Sequence, residues 1–241
     1  MRILIFDSGL GGLTVQAHVC RARPDAEILY LADDAVFPYG RLGEDALVAR
    51  VLEVVLPVVA QFRPDIVIIA CNTASTLVLP HLRARLTLPV VGTVPAIKPA
   101  AETSRSGMFS VLATPGTVAR DYTRGLIDSF AAGCDVTLVG CPDLAPLAEA
   151  HLRGEVVDDA AILAEIAPAF VAKEARRTDT IVLACTHYPL LMARFEALAP
   201  WPVTWIDPAP AIARRVVQLI GPAPAGALPA MGAARFTAAR P

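Results

Sequence analysis

Two short stretches hold the residues best suited to chemistry. "DIVIIACNTAS" (65–75) and "DTIVLACTHYP" (179–189) share one layout: an aspartate, an Ile/Val/Leu run, then Ala-Cys and two polar residues. Such a run predicts a strand buried on both faces, with the cysteine at its C-terminal end. In open parallel sheets that end is where ligands bind. Cys71 and Cys185 would each lie near a following helix N-terminus, whose dipole favours thiolate. A free cysteine is ordinarily a small buried hydrophobe, and Cys20, Cys134 and Cys141 are read that way. The repeated pair departs from this because polar partners follow each, Asn72-Thr73 in one case and Thr186-His187 in the other.

Two thiols delivered by equivalent halves suit inversion of a carbon centre, which needs a base on one face and an acid on the other. A thiol pKa of ~8.5 can be moved toward neutrality for such work. Asp7 could polarise one thiol or receive its proton, and His187, two residues past Cys185, could serve the other. Asn72, Thr73, Thr114, Thr117 and Thr186, with neighbouring N–H groups, suit the carboxylate of a small zwitterion. Taken singly, each threonine reads as a cap or turn residue. "PYG" (38–40) is a turn whose Tyr39 and Gly40 could shape a second carboxylate pocket. No lysine stands out as a pyridoxal-phosphate anchor and metal-ligand spacings are missing, so neither cofactor nor metal is expected.

Alternating strands and helices must position these groups. The strand candidates are 2–6, 28–32, 66–70, 90–92, 109–113, 135–140, 180–184 and 203–206. Helical periodicity marks 43–61, 117–130, 157–176 and 208–220. This alternation argues for parallel α/β sheets. "ILIFDSGLGG" (3–12) and "SVLATPGTV" (110–118) add a looser second echo, which makes two α/β halves the natural reading. The tail is rich in Ala, Pro and Gly, with a short strand expected near 234–237.

The opening "RILIFDSGLGGLTV" also looks like a strand feeding a phosphate loop. A nucleotide-binding module is therefore an alternative, but Gly9-Leu10-Gly11-Gly12 lacks the third glycine of G-x-G-x-x-G, and position 14 is Thr. A phosphatase nucleophile at Asp7 is weakened by Gly9, where a second aspartate would stand.

The chain of 241 residues is 55% hydrophobic and 18% charged, ample for a buried core. A net charge of -2 and no basic run argue against a nucleic-acid partner. The N-terminal apolar run is too short for a secretory signal. "LVARVLEVVLPVVAQF" is broken by Arg50, Glu53 and Pro57, so it reads as a packed helix and no membrane association is expected. Five cysteines, an odd number, argue against a disulfide framework. A cytoplasmic protein with free thiols is expected.

With these motifs in hand, the chain resembles the glutamate racemase branch of the cofactor-independent aspartate/glutamate racemase superfamily. The matching stretches are "FDSGLGGLTV", "ADDAVFPYG", "ACNTAST", "PVVGTVPAIKPAA", "ATPGTVARDYT", "LAEAHLRGE", "ACTHYPLL" and "IDPAPAIARR", in family order over about residues 3–220. The resemblance implies interconversion of L- and D-glutamate, supplying D-glutamate for peptidoglycan. It implies Cys71 as base toward the D-enantiomer and Cys185 toward the L-enantiomer, with Asp7, Glu149 and His187 assisting. It gives Ser8, Tyr39, Gly40, Asn72, Thr73, Thr114, Thr117 and Thr186 as substrate-binding positions. Thr186-His187 favours glutamate over aspartate, since aspartate racemases resembling this fold usually carry Glu after Cys-Thr. A racemase or isomerase of another small carboxylate, such as aspartate, is the alternative within the superfamily. Homodimers are common among such relatives.

The chain departs from the family pattern at Asp34, usually Thr; at Ala184, usually Gly; and at Pro208, where a hydroxyl is usual. It begins at the first strand, so activation by a cell-wall precursor, which goes with an N-terminal extension, is not expected. The expected fold is two pseudo-symmetric α/β domains with mostly parallel sheets and an active site in the cleft between them. Residues 1–93 plus 206–241 would form one domain and 94–205 the other.

Overall fold

The computed structural model describes residues 1–238. The chain runs through β1 (Arg2–Asp7), α1 (Leu13–Ala22), β2 (Glu27–Ala32), α2 (Glu44–Phe62), β3 (Ile66–Ile69), α3 (Asn72–Arg83) and β4 (Val90–Gly92). It continues with α4 (Ile97–Thr103), β5 (Met108–Ala113), α5 (Pro115–Ala119), α6 (Asp121–Phe130), β6 (Asp135–Gly140), α7 (Leu144–Leu152) and α8 (Asp159–Ile166). Then follow β7 (Ala172–Lys173), β8 (Arg176–Arg177), β9 (Thr180–Ala184), α9 (Met192–Leu198), β10 (Thr204–Ile206), α10 (Ala209–Ile220) and β11 (Ala233–Phe236).

Two compact units result, Met1–Thr93 with Ala209–Pro241, and Val94–Pro208. The first holds a parallel sheet in the order β11-β2-β1-β3-β4, the second a parallel sheet in the order β10-β9-β5-β6. Read from its second strand, the first sheet runs β2-β1-β3-β4, and the other, reversed, runs β6-β5-β9-β10. The two orders are one topology used twice. The sequence echoes are therefore structural equivalents, β1 with β5 and β3 with β9.

Alternation along each strand explains the layers. Ile3 and Ile5 of β1 pack with Val15 and Val19 of α1 and with Ile212 and Val216 of α10. Leu4 and Phe6 point the other way, onto Leu47, Val51, Val55 and Val59 of α2 and Val78 and Leu82 of α3. Residues Ile3 to Phe6 are fully buried, each contributing roughly 1.5–3 kcal/mol of apolar burial. Pro57 sits inside α2 without ending it. The four-residue spacing of its buried face outweighs the backbone bond that proline forgoes. In the second unit, Phe109, Val111 and Ala113 of β5 pack with Val182 and Ala184 of β9 and with Ile97 and Ala100 of α4.

Two helical expectations need correction. The segment expected to be helical over 117–130 is two helices broken at Arg120, whose backbone is extended. The Thr123 hydroxyl donates to the Thr117 carbonyl at 2.7 Å, taking an acceptor that a continuous helix would use itself. The segment expected over 157–176 is helical only to Ile166. Pro168, lacking an N–H, lies in the tight turn Ala167–Ala169, and the antiparallel β7–β8 hairpin follows. Among the described residues, no helix is long and apolar enough to cross a membrane.

Candidate active site

All strands of the first sheet are parallel, so their C-terminal ends share one edge, and chain direction across the sheet reverses between β1 and β3. Ligands bind at such a switch point. Asp7 closes β1 and is fully buried. Its Oδ2 accepts the Gly12 N–H, so the glycine turn offers a backbone donor to a carboxylate. Tyr30 Oη pins the same turn by donating to the Gly9 carbonyl at 2.7 Å. Beside it, Cys71 caps α3 and its thiol lies 3.6 Å from Ser8 Oγ, with both residues buried.

Asn72 and Thr73 open α3 and are buried with Cys71. Asn72 Oδ1 lies 3.4 Å from Thr93 Oγ1, which donates to it. Asn72 Nδ2 is buried without a hydrogen-bond partner. Burying an amide donor unsatisfied costs about 1–3 kcal/mol, so this donor marks a place suited to an acceptor. Tyr39 and Gly40 lie in the short turn Tyr39–Arg41. The Tyr39 hydroxyl donates to Asp33 Oδ2. Arg50 holds that carboxylate through Nε at 2.8 Å and Nη2 at 2.6 Å. Burial, then Asp33 beside it, pushes the Tyr39 phenol far above its ordinary value. Tyr39 is thus a neutral hydrogen-bonding group at any working pH.

The second unit has the same switch point, between β5 and β9. Cys185 follows β9 as Cys71 follows β3, and both are buried. The surroundings of the two thiols differ. After Cys185 the chain enters the short, tight helix Tyr188–Leu191 with Pro189 in its first turn, where the missing N–H has no intrahelical partner to lose, and α9 follows from Met192. Cys71 stands at the N-cap of a 12-residue helix, whereas a short, tight helix begins three residues past Cys185. Cys185 has a histidine beside it. His187 Nδ1 lies 3.8 Å from Cys185 Sγ, and His187 Nε2 lies 3.0 Å from Glu149 Oε1. Glu149, on α7, is buried, and its Oε2 pairs with Arg153 at 3.3 Å.

Thr114 is both a cap and a candidate binding residue: its Oγ1 accepts the Thr117 N–H at 3.3 Å. Thr117 and Thr186 are also buried at this edge. The structure thus gathers Asp7, Ser8, Tyr39, Gly40, Cys71, Asn72 and Thr73 in the first unit. It gathers Thr114, Thr117, Glu149, Cys185, Thr186 and His187 in the second.

The family described as Asp/Glu/Hydantoin racemase matches residues 14–216. The chain belongs to the Asp/Glu/Hydantoin racemase family. A relative from Brucella anthropi named glutamate racemase is 58% identical over 221 residues, covering 91% of this chain and 80% of its own length. The crystal structure of Escherichia coli glutamate racemase in complex with L-glutamate and activator UDP-MurNAc-ala superposes with a TM-score of 0.91 at 39% identity. That match covers 100% of this chain and 90% of the other. Glutamate racemase from Aquifex pyrophilus matches with a TM-score of 0.73 at 30% identity, over 100% of this chain and 91% of its own.

Within this racemase fold, the sequence reading missed Asp33 and Arg50, which hold Tyr39. Their signal was weak: the first acid of "ADDAVFPYG" and an arginine in an apolar helix. Arg153 was missed as well: no helix was expected over 144–152, so its four-residue spacing from Glu149 went unread. Among the described residues, no three of His, Cys, Asp and Glu converge as a metal site requires.

Proposed function

We propose that this chain interconverts L- and D-glutamate by a two-base mechanism in which Cys71 and Cys185 each act on one face of the substrate α-carbon. The observation that carries this reading is the equivalence of the two cysteines. Each stands just past the same strand of a repeated parallel topology, at the sheet edge where ligands bind, with its own acid–base neighbours. The Brucella relative adds glutamate as the substrate, at 58% identity.

In the forward step one thiolate takes the α-proton, leaving its electron pair on the α-carbon. The other thiol then delivers its own proton to the opposite face. In the reverse reaction the two cysteines exchange roles. Ser8 and Asp7 stand on the Cys71 side, and His187, oriented by Glu149, stands on the Cys185 side. Asn72 Nδ2, Thr73, Thr114, Thr117, Thr186 and the Tyr39–Gly40 turn hold the carboxylates and ammonium. Following the family resemblance, Cys71 acts on D-glutamate and Cys185 on L-glutamate. The D-glutamate would feed the cytoplasmic steps of peptidoglycan synthesis.

The test is incubation with each enantiomer of glutamate in deuterated water. Solvent deuterium should enter the α-position as optical rotation decays to zero from either side. No exchange from glutamate, with turnover of aspartate, would replace glutamate by the shorter substrate.

A further inference from the structure

The last described segment of the chain reaches back to the loop that carries Tyr39. β11 extends the first sheet by pairing with β2, with Phe236 opposite Ala32. Arg235 Nη1 fastens it to Gln61 Oε1 of α2 at 2.6 Å. Just past the strand, Thr237 Oγ1 donates to Asp33 Oδ1 at 2.6 Å and accepts the Ala35 N–H at 3.2 Å. The Ala238 N–H donates to Asp34 Oδ1 at 2.8 Å.

Asp33 is the junction. Its Oδ2 accepts from Tyr39 and Arg50, while its Oδ1 accepts from Arg50 and Thr237. With both oxygens engaged from several sides, the plane of the buried carboxylate is fixed, and so is the Tyr39 hydroxyl it receives. Removing the Thr237 hydroxyl takes one of two donors from Oδ1, leaving Arg50 alone on it, and takes the acceptor from the Ala35 N–H, at the start of the loop leading to Tyr39. Asp34, where the family usually carries Thr, supplies the acceptor for the next backbone N–H of the tail.

We propose that Thr237 and Ala238, just past β11, clamp the substrate-binding loop, with Thr237 and Asp34 as positioning residues that set substrate affinity through Asp33 and Tyr39. This rests on the reading of Tyr39–Gly40 as part of the substrate site. A loop that grips substrate and transition state alike should change KM and leave kcat in place.

The experiment pairs amide hydrogen exchange over residues 33–43 with steady-state kinetics on both glutamate enantiomers. It uses the full chain carrying Thr237→Val, Thr237→Ser or Asp34→Ala. Thr237→Val and Asp34→Ala should speed exchange in that segment and raise KM about five- to tenfold, with kcat within about twofold of wild type. Thr237→Ser, which restores the hydroxyl, should return both readouts to wild type. Unchanged exchange in Thr237→Val and Asp34→Ala overturns the clamp whatever the substrate proves to be. Faster exchange with unchanged KM overturns its role in affinity. Wild-type protein that racemises neither enantiomer defeats instead the functional reading on which the KM arm depends.

Discussion

Gly12 has no room for a side chain because of Asp7. A Cβ at position 12 would lie 2.8 Å from the Asp7 Cβ, 2.9 Å from Tyr30 Oη and 3.2 Å from the Ala70 Cβ. Its φ of -62° is ordinary, so the constraint is contact and not backbone strain. Two of these neighbours are first side-chain atoms that cannot swing aside, and Ala70 directly precedes Cys71. Gly12→Ala should therefore cost about 1–3 kcal/mol in thermal unfolding and sharply lower kcat/KM, since it displaces the carboxylate its own N–H holds. Gly125→Ala is the control. That position meets nothing within 4 Å on α6, and the change should stabilise by about 0.5–1 kcal/mol.

The unlike neighbours of the two thiols predict an asymmetric kinetic signature. Cys71→Ser and Cys185→Ser should each lower racemisation by orders of magnitude, and near-wild-type activity in either would refute the two-thiol mechanism. His187→Asn is more informative. It should slow proton removal by Cys185 while leaving the Cys71 side intact. With α-deuterated substrate, the isotope effect should grow in the direction where Cys185 abstracts the proton and shrink in the other. Equal isotope effects in both directions would remove His187 from the Cys185 half-reaction.

A third cysteine tests the distinction between chemical and structural thiols. Cys141 is buried, with its thiol 3.5 Å from the Glu165 carbonyl. Burial first, and the Glu165 carboxylate next, push the thiol up to about 12. Its proton therefore stays on in the folded protein while the unfolded chain loses it near ~8.5, so this group lowers stability as pH rises above that value. Native protein at about pH 9 should leave Cys141 unalkylated by iodoacetamide, and unfolding in denaturant should expose it to labelling. Labelling at a rate like that of the unfolded chain would show the site to be open.

The parts of the site legible in the sequence were those written locally. The Ala-Cys repeat after an apolar run identifies β3 and β9 because burial on both faces demands continuous Ile, Val and Leu. The glycines after Asp7 mark close backbone approach, although a phosphate loop has the same local needs. The Asp33 cluster left no such trace. Its members Asp33, Arg50 and Thr237 come from separate elements, Thr237 lying 204 positions from Asp33. Single polar residues joined by tertiary contacts carry no periodicity. The break at Arg120 and the hairpin after Pro168 were lost for a related reason: helical spacing of apolar residues persists across a short interruption, and only turn chemistry ends the helix.

Asp33 also makes a sign-definite prediction about acid. Burial alone would raise its pKa, but hydrogen bonds from Arg50, Thr237 and Tyr39 outweigh it and hold the carboxyl below its ordinary value. A carboxyl depressed in the folded state adds stability that is fully present above the unfolded value of ~3.9 and is lost as pH falls through the folded one. Wild-type protein should thus shed part of its stability below about pH 4. Asp33→Asn leaves Arg50 facing an amide in a part-buried site and should cost about 2–4 kcal/mol at neutral pH. The difference between variant and wild type should shrink as pH falls into the acid range, because protonation removes from the wild type the charge that the variant lacks. Chemical denaturation of both proteins at pH 7 and at about pH 3 measures this directly. A difference that stays constant across that range would mean that the Asp33 carboxylate does not carry the network that seats Tyr39.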